Sequence, residues 1–359
     1  MEKFISIVIP NYNNERTIGK CLEAAFASDY TNFEVIVVDD HSDDSSVEII
    51  RTFPCKLISA QRRSGTSKAR NLGAQNSRGE IIFFTDADCL LQKDTLSIVN
   101  NIFPEVATNL IIGGTYTRIP YDDNFYSIFQ SEFVNYFETK SAADPDYIAA
   151  HAMIISSAYF KASGGFPEVF LPIIEDVEFS HRARNAGCKL IIQPTIQVQH
   201  IFGFSLIRSL RNAFRKTTYW TMYSLKNNDL LTDSGCASKE LKVDVISFVT
   251  SLLLLISWIL LRNPLFLYIL PVTFFSNIII NRQLFKAFYE SGSSLFALKA
   301  VLYYILVYPV PVGLGTITGV AKHFASSKES WPKVRDHDHY NKRPAPCQLS
   351  STVNEEEPG

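Results

Sequence analysis

The chain has 359 residues, 47% hydrophobic and 13% aromatic, which excludes a disordered polar chain. Its 34 basic and 36 acidic residues leave a net charge of −2, so no nucleic-acid partner held by bulk charge is expected. Six cysteines (Cys21, Cys55, Cys89, Cys188, Cys236, Cys347) form neither a CxxC pair nor a zinc-ligand spacing and read as reduced, buried or incidental thiols.

Met1-Glu2-Lys3 leads directly into an apolar segment too short for a secretory signal core, so the N-terminal part is expected in the cytoplasm. Short β-rich runs follow at Phe4–Ile9, Phe33–Val38, Lys56–Ser59 and Glu80–Thr85. Between them lie helical stretches near Glu15–Ser28, Asp44–Thr52 and Ser67–Gln75. Strand and helix alternating at this pace predict an α/β fold with a parallel sheet and right-handed crossovers. Ligands on such sheets bind outside the carboxyl ends of the strands.

Those strand ends carry polar groups. The first runs into Pro10-Asn11-Tyr12-Asn13, the second into Asp39-Asp40-His41-Ser42-Asp43, and the fourth into Asp86-Ala87-Asp88. No GxGxxG or GxxxxGK[ST] loop follows any of them, so phosphate is not held by a glycine-rich cradle. Two carboxylates leaving the apolar strand Ile81–Phe84 repel each other unless a cation joins them, and hard dications such as Mg²⁺ or Mn²⁺ suit oxygen ligands and substrate phosphates. A solvated loop with helix-capping aspartates is the alternative for Asp86 and Asp88. Asp39 and Asp40 either cap the next helix or recognise a ribose or base edge.

Further along, Asp122–Lys140 is aromatic-rich and reads as helix packing or as the wall of an acceptor cleft. A helix is expected from Glu175 to Gly187. Glu175 and Asp176 in its first turn suit the macrodipole, or supply a general base. His200 ends an alternating strand and reads as structural or as a metal or phosphate contact. Leu206–Thr217 reads as an amphipathic helix, with Leu206, Ile207, Leu210, Ala213 and Phe214 on one side and Arg208, Arg211 and Arg215 opposite. Such a helix packs on the sheet or lies in the headgroup region of an anionic leaflet.

Val245–Leu261 and Pro264–Ile280 are each seventeen residues without a charge, joined through Arg262-Asn263. Ala300–Ala321 is a third apolar run, interrupted by Pro309, Pro311, Gly313 and Gly315. A membrane helix needs about 17–25 apolar residues, so the first two runs predict a helical hairpin of membrane spans. The third is expected to kink or break, as a span or a re-entrant element. Lys322, Lys328, Lys333, Arg335, Lys342 and Arg343 favour a cytoplasmic tail, and the last dozen residues read as disordered.

Taken in order, these motifs resemble family-2 glycosyltransferases. The resemblance rests on Ser6–Asn13, on Val37–Asp44 with His41 where glycine is common, and on Ala69-Arg70-Asn71-Leu72-Gly73-Ala74. It continues through Gly79–Asp88, Gly164-Gly165-Phe166, Glu175-Asp176-Val177-Glu178-Phe179 and His200, covering about residues 4–202. It implies a GT-A, Rossmann-like nucleotide-diphospho-sugar transferase domain and a C-terminal α-helical membrane region. The expected organisation is a catalytic domain at 1–230 including an interface helix at 204–220, a membrane region at 243–322, and a basic then disordered tail at 323–359.

The same resemblance implies site roles. Pro10, Asn11, Tyr12, Asp39, Asp40, Lys68, Arg70 and Asp86 are expected at a UDP- or GDP-sugar donor. Asp86, Asp88 and His200 are expected at a divalent metal, Mg²⁺ or Mn²⁺. Asp176 is the expected base of an inverting transfer, with Gly165, Phe166 and Glu175 on the acceptor side. The sequence lacks the Q-x-x-R-W motif of processive membrane synthases, which favours single-sugar transfer. The expectation is a multi-pass enzyme of the cytoplasmic membrane, its catalytic domain facing the cytoplasm and its acceptor a lipid-linked saccharide or polyprenyl phosphate. The rivals are a nucleotidyltransferase, which usually has a glycine- and basic-rich loop after the first strand, and a scaffold with a dead transferase domain.

Overall fold

A computed structural model of the protein describes residues 2–104, 109–169 and 171–325. The tail expected to be basic and disordered lies outside the described residues from position 326 onward. The N-terminal region runs β1 (Ile5–Asn11), α1 (Ile18–Phe26), β2 (Phe33–Asp39), α2 (Ser46–Ile50), β3 (Lys56–Ser59), α3 (Thr66–Gln75) and β4 (Ile81–Phe84). β1, β2, β3 and β4 pair in parallel, as the alternation predicts. Every residue of β1 and β4 is buried, which is why these strands read as continuous apolar runs rather than alternating ones.

Beyond Phe84 the sheet becomes mixed. β5 (Cys89–Leu91), α4 (Thr95–Ile102), β6 (Leu110–Tyr116), α5 (Phe125–Thr139), β7 (Met153–Ser156), α6 (Ser157–Ala162), α7 (Glu175–Asn185) and β8 (Lys189–His200) complete an eight-stranded sheet ordered β3-β2-β1-β4-β7-β6-β8-β5. β7 runs antiparallel to β4 and β6, and β5 antiparallel to β8. The short β5 folds the chain back beside the end of β8, bringing the segment after β4 against His200.

Helices follow: α8 (Leu206–Asn227), α9 (Lys239–Leu261), α10 (Leu265–Ile280), α11 (Arg282–Ser291), α12 (Ser294–Leu306) and α13 (Pro309–Ala325). α9 and the near-continuous α12–α13 run are long and apolar enough to cross a membrane, and α10–α11, bent by 61°, makes a third candidate. α9 and α10 form the expected hairpin, with Arg262 in a left-handed conformation at the turn. Ile246, Leu253, Leu260, Val272, Phe275 and Ile279 lie exposed along it, an apolar surface that suits lipid rather than water.

The third run breaks as expected, but ahead of the Pro-x-Pro-x-Gly-x-Gly stretch rather than within it. The helix breaks at Val307-Tyr308, before Pro309, and continues unbroken through Pro311, Gly313 and Gly315. Both prolines sit in the first turn, where a missing N–H costs no helical hydrogen bond. Gly315 and Gly319 serve close packing on α8. A Cβ at Gly315 would stand 2.7 Å from the Phe214 carbonyl oxygen, and one at Gly319 2.6 Å from that of Thr218.

α8 is longer than predicted, and its apolar side is divided. Ala213 is buried and Leu210 packs on the core, whereas Leu206, Ile207 and Phe214 are exposed beside the exposed Arg208, Arg211 and Arg215. The aromatic segment predicted at Asp122–Lys140 is a packing helix. Phe129 of α5 meets Tyr303, Tyr308 and Phe288 at ring-centroid distances of 4.8, 5.4 and 5.4 Å. A chain of side-chain hydrogen bonds also ties the C-terminal helices together, from the Tyr304 hydroxyl to Asn281 Oδ1, Asn281 Nδ2 to Asn277 Oδ1, and Asn277 Nδ2 to Asp244 Oδ1.

Candidate active site

The polar residues at the carboxyl ends of β1 and β2 hold one another. Asn11 Nδ2 donates to Asp39 Oδ1 at 2.8 Å, and Ser42 donates to Asp39 from its backbone N–H at 3.1 Å and its hydroxyl at 2.6 Å. Asn11 Oδ1 is buried without a partner, an acceptor left for something other than the protein. Asp40 is engaged differently. It accepts from the Ser64 N–H and hydroxyl and from the Gly65 N–H at 2.7, 2.8 and 2.8 Å, fixing the loop before α3. Arg63 of that loop lies over the Tyr12 ring, 4.0 Å from its centroid. Pro10 keeps β1 in register with β2 opposite Val38.

Arg70 is the electrostatic centre of the site. It projects from α3, is only 4% exposed, and spans two acids that are 105 and 16 residues away in sequence. One terminal nitrogen donates to Glu175 Oε1 at 2.5 Å and the other to Asp86 Oδ1 at 2.6 Å. Burial alone would weaken its charge, but Asp86, Glu175 and Asp176 outweigh that and hold the guanidinium protonated. Lys68, also on α3, stands apart: it is half exposed and, among the described residues, pairs with Glu168 at 3.7 Å.

The two aspartates after β4 are driven apart in protonation. Burial disfavours the Asp86 carboxylate, yet Arg70, with His151 and His200, holds its pKa below the usual range. Asp88 is pushed up by burial and by the charge of Asp86, against the pull of His200. His200 Nε2 lies 3.5 Å from Asp88 Oδ1, and its Nδ1 is buried without a partner. Burial lowers the His200 pKa despite both aspartates, which favours the neutral imidazole that metals bind. Asp88, Cys89 and His200 each offer a ligand atom within 4.8 Å of the others. The donor set, its unused ring nitrogen and its acidic neighbour fit a divalent cation.

α7 delivers the remaining acids. Ile174, a β-branched residue in the left-handed region at φ 68°, turns the chain into its first residue. Asp176 Oδ2 accepts from the Ala150 N–H at 3.0 Å and its Oδ1 from the Val177 N–H at 2.9 Å. Both contacts aim the carboxylate from the helix N-terminus. The Glu175 carboxyl is raised by burial and by Asp176, with Arg70 opposing.

The Gly164-Gly165-Phe166 loop is clamped by Asn71. Its Oδ1 accepts from the Phe166 N–H and its Nδ2 donates to the Phe166 carbonyl, both at 2.9 Å. A Cβ at Gly165, where φ is 69°, would stand 2.5 Å from Asn71 Oδ1. Arg182 donates to the Ser163 and Gly165 carbonyls from the other side. Phe166 itself is buried, with the Arg70 guanidinium 5.6 Å from its ring centroid. Replacing Asn71 with alanine removes both clamps and leaves the Phe166 N–H and C=O unpaired. The expected cost is about 1–3 kcal/mol, read as a lower unfolding midpoint in denaturant.

The fold thus joins Asp86 to Glu175 through Arg70, Asp88 to His200, and Asn11 to Asp39. Reading the sequence assigned no role to Asn71, Cys89, Tyr116, Glu138 or His151. Tyr116 stacks on His151 at 4.0 Å, and His151 Nε2 lies 3.5 Å from Glu138 Oε2. Burial lowers the His151 pKa, but Glu138, Asp86 and Asp176 prevail and raise it. Asn71 lies within the Ala69–Ala74 motif, and Cys89 adjoins Asp88. The other three had no motif to mark them.

Residues 6–161 match the family described as glycosyl transferase family 2. Over 131 residues the chain is 30% identical to glycosyltransferase GlyG of Streptococcus pneumoniae, covering 35% of this chain and 44% of that protein. Over 194 residues it is 27% identical to glycosyltransferase AglE of Haloferax volcanii, covering 52% and 63%. It therefore spans less than two thirds of these relatives. Among solved structures, the mannosyltransferase PcManGT of Pyrobaculum calidifontis, in complex with GDP-Man and Mn²⁺, shares the fold. The TM-score is 0.55 at 19% identity, over 90% of this chain and 88% of that one.

Proposed function

Because residues 6–161 form a glycosyltransferase family 2 domain, we propose that the chain transfers a single sugar, with inversion, from a UDP- or GDP-sugar to a hydroxyl or phosphate acceptor. The observation that carries this reading is the Asp86–Arg70–Glu175 bridge, which ties the acids after β4 to the N-terminus of α7. A donor-side carboxylate pair and a candidate base are thereby held in one rigid frame.

In this reading Asp176 takes the proton from the attacking acceptor hydroxyl, aimed by the Ala150 and Val177 N–H groups. Asn11 and Asp39 recognise the nucleoside, since Asn11 retains a buried, unused acceptor. Pro10 and Tyr12 shape that pocket. Asp40 supports it indirectly, its carboxylate being committed to Ser64 and Gly65. Asp86 takes its place at the donor through Arg70, and the half-exposed Lys68 is available to the donor's negative charge. Asp88 and His200, with Asp86 beside them, hold a divalent cation, Mg²⁺ or Mn²⁺. Bound there, the cation supplies positive charge to the departing diphosphate. Gly165 and Glu175 line the acceptor side, whereas Phe166, expected there from the sequence, is packed into the core against Phe84, Phe160 and Phe179 and supports that side from behind.

A lipid-linked saccharide or polyprenyl phosphate is the acceptor we favour, at the cytoplasmic face of the cell membrane. The exposed apolar surface of the α9–α10 hairpin supports this, as does α8, where Leu206 and Ile207 lie beside Arg208 and Arg211. Within this reading residues 1–230 act as the catalytic unit and 243–322 as the anchor. Calorimetric titration of the full chain with UDP- and GDP-sugars tests it. Binding is expected with Mn²⁺ and is lost on chelation; no binding of any nucleotide sugar with the metal present would overturn it.

A further inference from the structure

We infer that Cys89 adds a sulfur ligand to Asp88 and His200, so that this cation site prefers thiophilic dications such as Zn²⁺ and Cd²⁺ over Mg²⁺. The inference rests on the metal-dependent reading above and concerns one residue outside it. Cys89 and His200 are directly paired across antiparallel β5 and β8, which sends both side chains to the same side of the sheet. Asp88 precedes Cys89 and its Oδ1 lies 3.8 Å from the Cys89 sulfur and 3.5 Å from His200 Nε2.

Those separations are close to what one ion requires. With metal–sulfur bonds of about 2.3 Å and metal–nitrogen or –oxygen bonds of about 2.0–2.2 Å, tetrahedral ligands stand roughly 3.3–3.6 Å apart. The third separation, Cys89 sulfur to His200, lies within 4.8 Å, so side-chain adjustments on the order of an ångström or less complete the set. His200 Nδ1 is buried and unpartnered, so the ring has no competing hydrogen bond to break. Cys89 is fully buried, which shields a bound thiolate from solvent. On binding, the thiol proton passes to water as the metal–sulfur bond forms. Three protein ligands leave a fourth position open, the arrangement of a site that also meets substrate rather than a closed structural one. Soft sulfur favours Zn²⁺ and Cd²⁺, whereas Mg²⁺ demands oxygen. Cys21 is the internal control: it is also buried nearby, but its sulfur donates to the Asp86 carbonyl at 3.5 Å and is not in the group.

The test is a Cd²⁺ titration of the full chain in detergent, read by thiolate-to-cadmium charge-transfer absorbance, with Mn²⁺-dependent nucleotide binding measured on the same wild-type preparation. The band is expected at one equivalent in the wild type and in Cys21→Ser, and lost in Cys89→Ser. X-ray absorption of the wild type loaded with one equivalent of Zn²⁺ needs no variant, and is expected to show one sulfur neighbour. A wild type without the band, a band undiminished in Cys89→Ser, or a zinc shell of nitrogen and oxygen alone overturns the inference. Nucleotide binding without the band overturns the inference and leaves the transferase reading standing. The band without nucleotide binding supports the thiol site and overturns the transferase reading.

Discussion

Asp176→Asn is expected to lower the rate of sugar transfer by about 10²–10⁴-fold, the range that a positioned general base contributes. The substitution is nearly isosteric. The remaining amide oxygen still accepts one of the two N–H groups, from Ala150 or Val177, that aim the native carboxylate. What it loses is the basic lone pair that receives the acceptor proton. Nucleotide-sugar affinity should therefore stay near wild type while turnover collapses. Steady-state kinetics with calorimetry on the same preparation separates the two, and unchanged turnover removes Asp176 from the role of base.

Arg70→Met is expected to cost about 1–3 kcal/mol of stability, because it strands two carboxylates, 32% exposed at Asp86 and 12% at Glu175, that the guanidinium now compensates. Arg70→Lys should recover only part of this. A single ammonium cannot present two separated donors to Asp86 and Glu175 in the fixed geometry of a guanidinium fork. Denaturant unfolding measures both variants. The pH dependence carries a further sign. Arg70 holds the folded-state pKa of Asp86 below its unfolded value, so this contribution is present above the ordinary aspartate pKa of about 3.9 and is lost on acidification through the depressed value. Glu175 behaves oppositely: its raised pKa makes its charge a cost at neutral pH that is relieved as the pH falls through that value. In Arg70→Met both carboxyls lose their partner, so the variant should gain stability relative to wild type as the pH is lowered. A gap between the two proteins that stays constant on acidification would argue against the bridge.

Much of the fold was legible in the chain because its signals are local. Strands buried on both faces require unbroken apolar runs, and Ile5–Ile9 and Ile81–Phe84 are such runs. The apolar helical hairpin was legible for the same reason: its apolar stretches are contiguous and its turn is short, although only α9 is by itself long and apolar enough to cross a membrane. The break of the third run was legible but not its place: proline breaks a helix interior but not a first turn, and the interruption falls at Val307-Tyr308, which puts Pro309 and Pro311 in the first turn of α13. Likewise the aromatic residues of α5 could be assigned to packing only once Tyr303, Tyr308 and Phe288 were seen against them.

By itself the sequence determined which acids stand at which strand ends, since strand periodicity and motif order are written along the chain. It also determined that a block of apolar helices follows the sheet. Only the tertiary structure decided how those acids are used. Asp39 and Asp40 are neighbours in sequence and equally plausible there, yet one is tied to Asn11 and Ser42 and the other to Ser64 and Gly65. Arg70 looks like one more helix position until folding buries it between Asp86 and Glu175. Cys89 looks incidental until β5 turns back and sets it opposite His200. The physical reason is common to all three: a charge or ligand takes its character from partners brought within a few ångströms, and here those partners lie up to 111 residues along the chain (from Cys89 to His200).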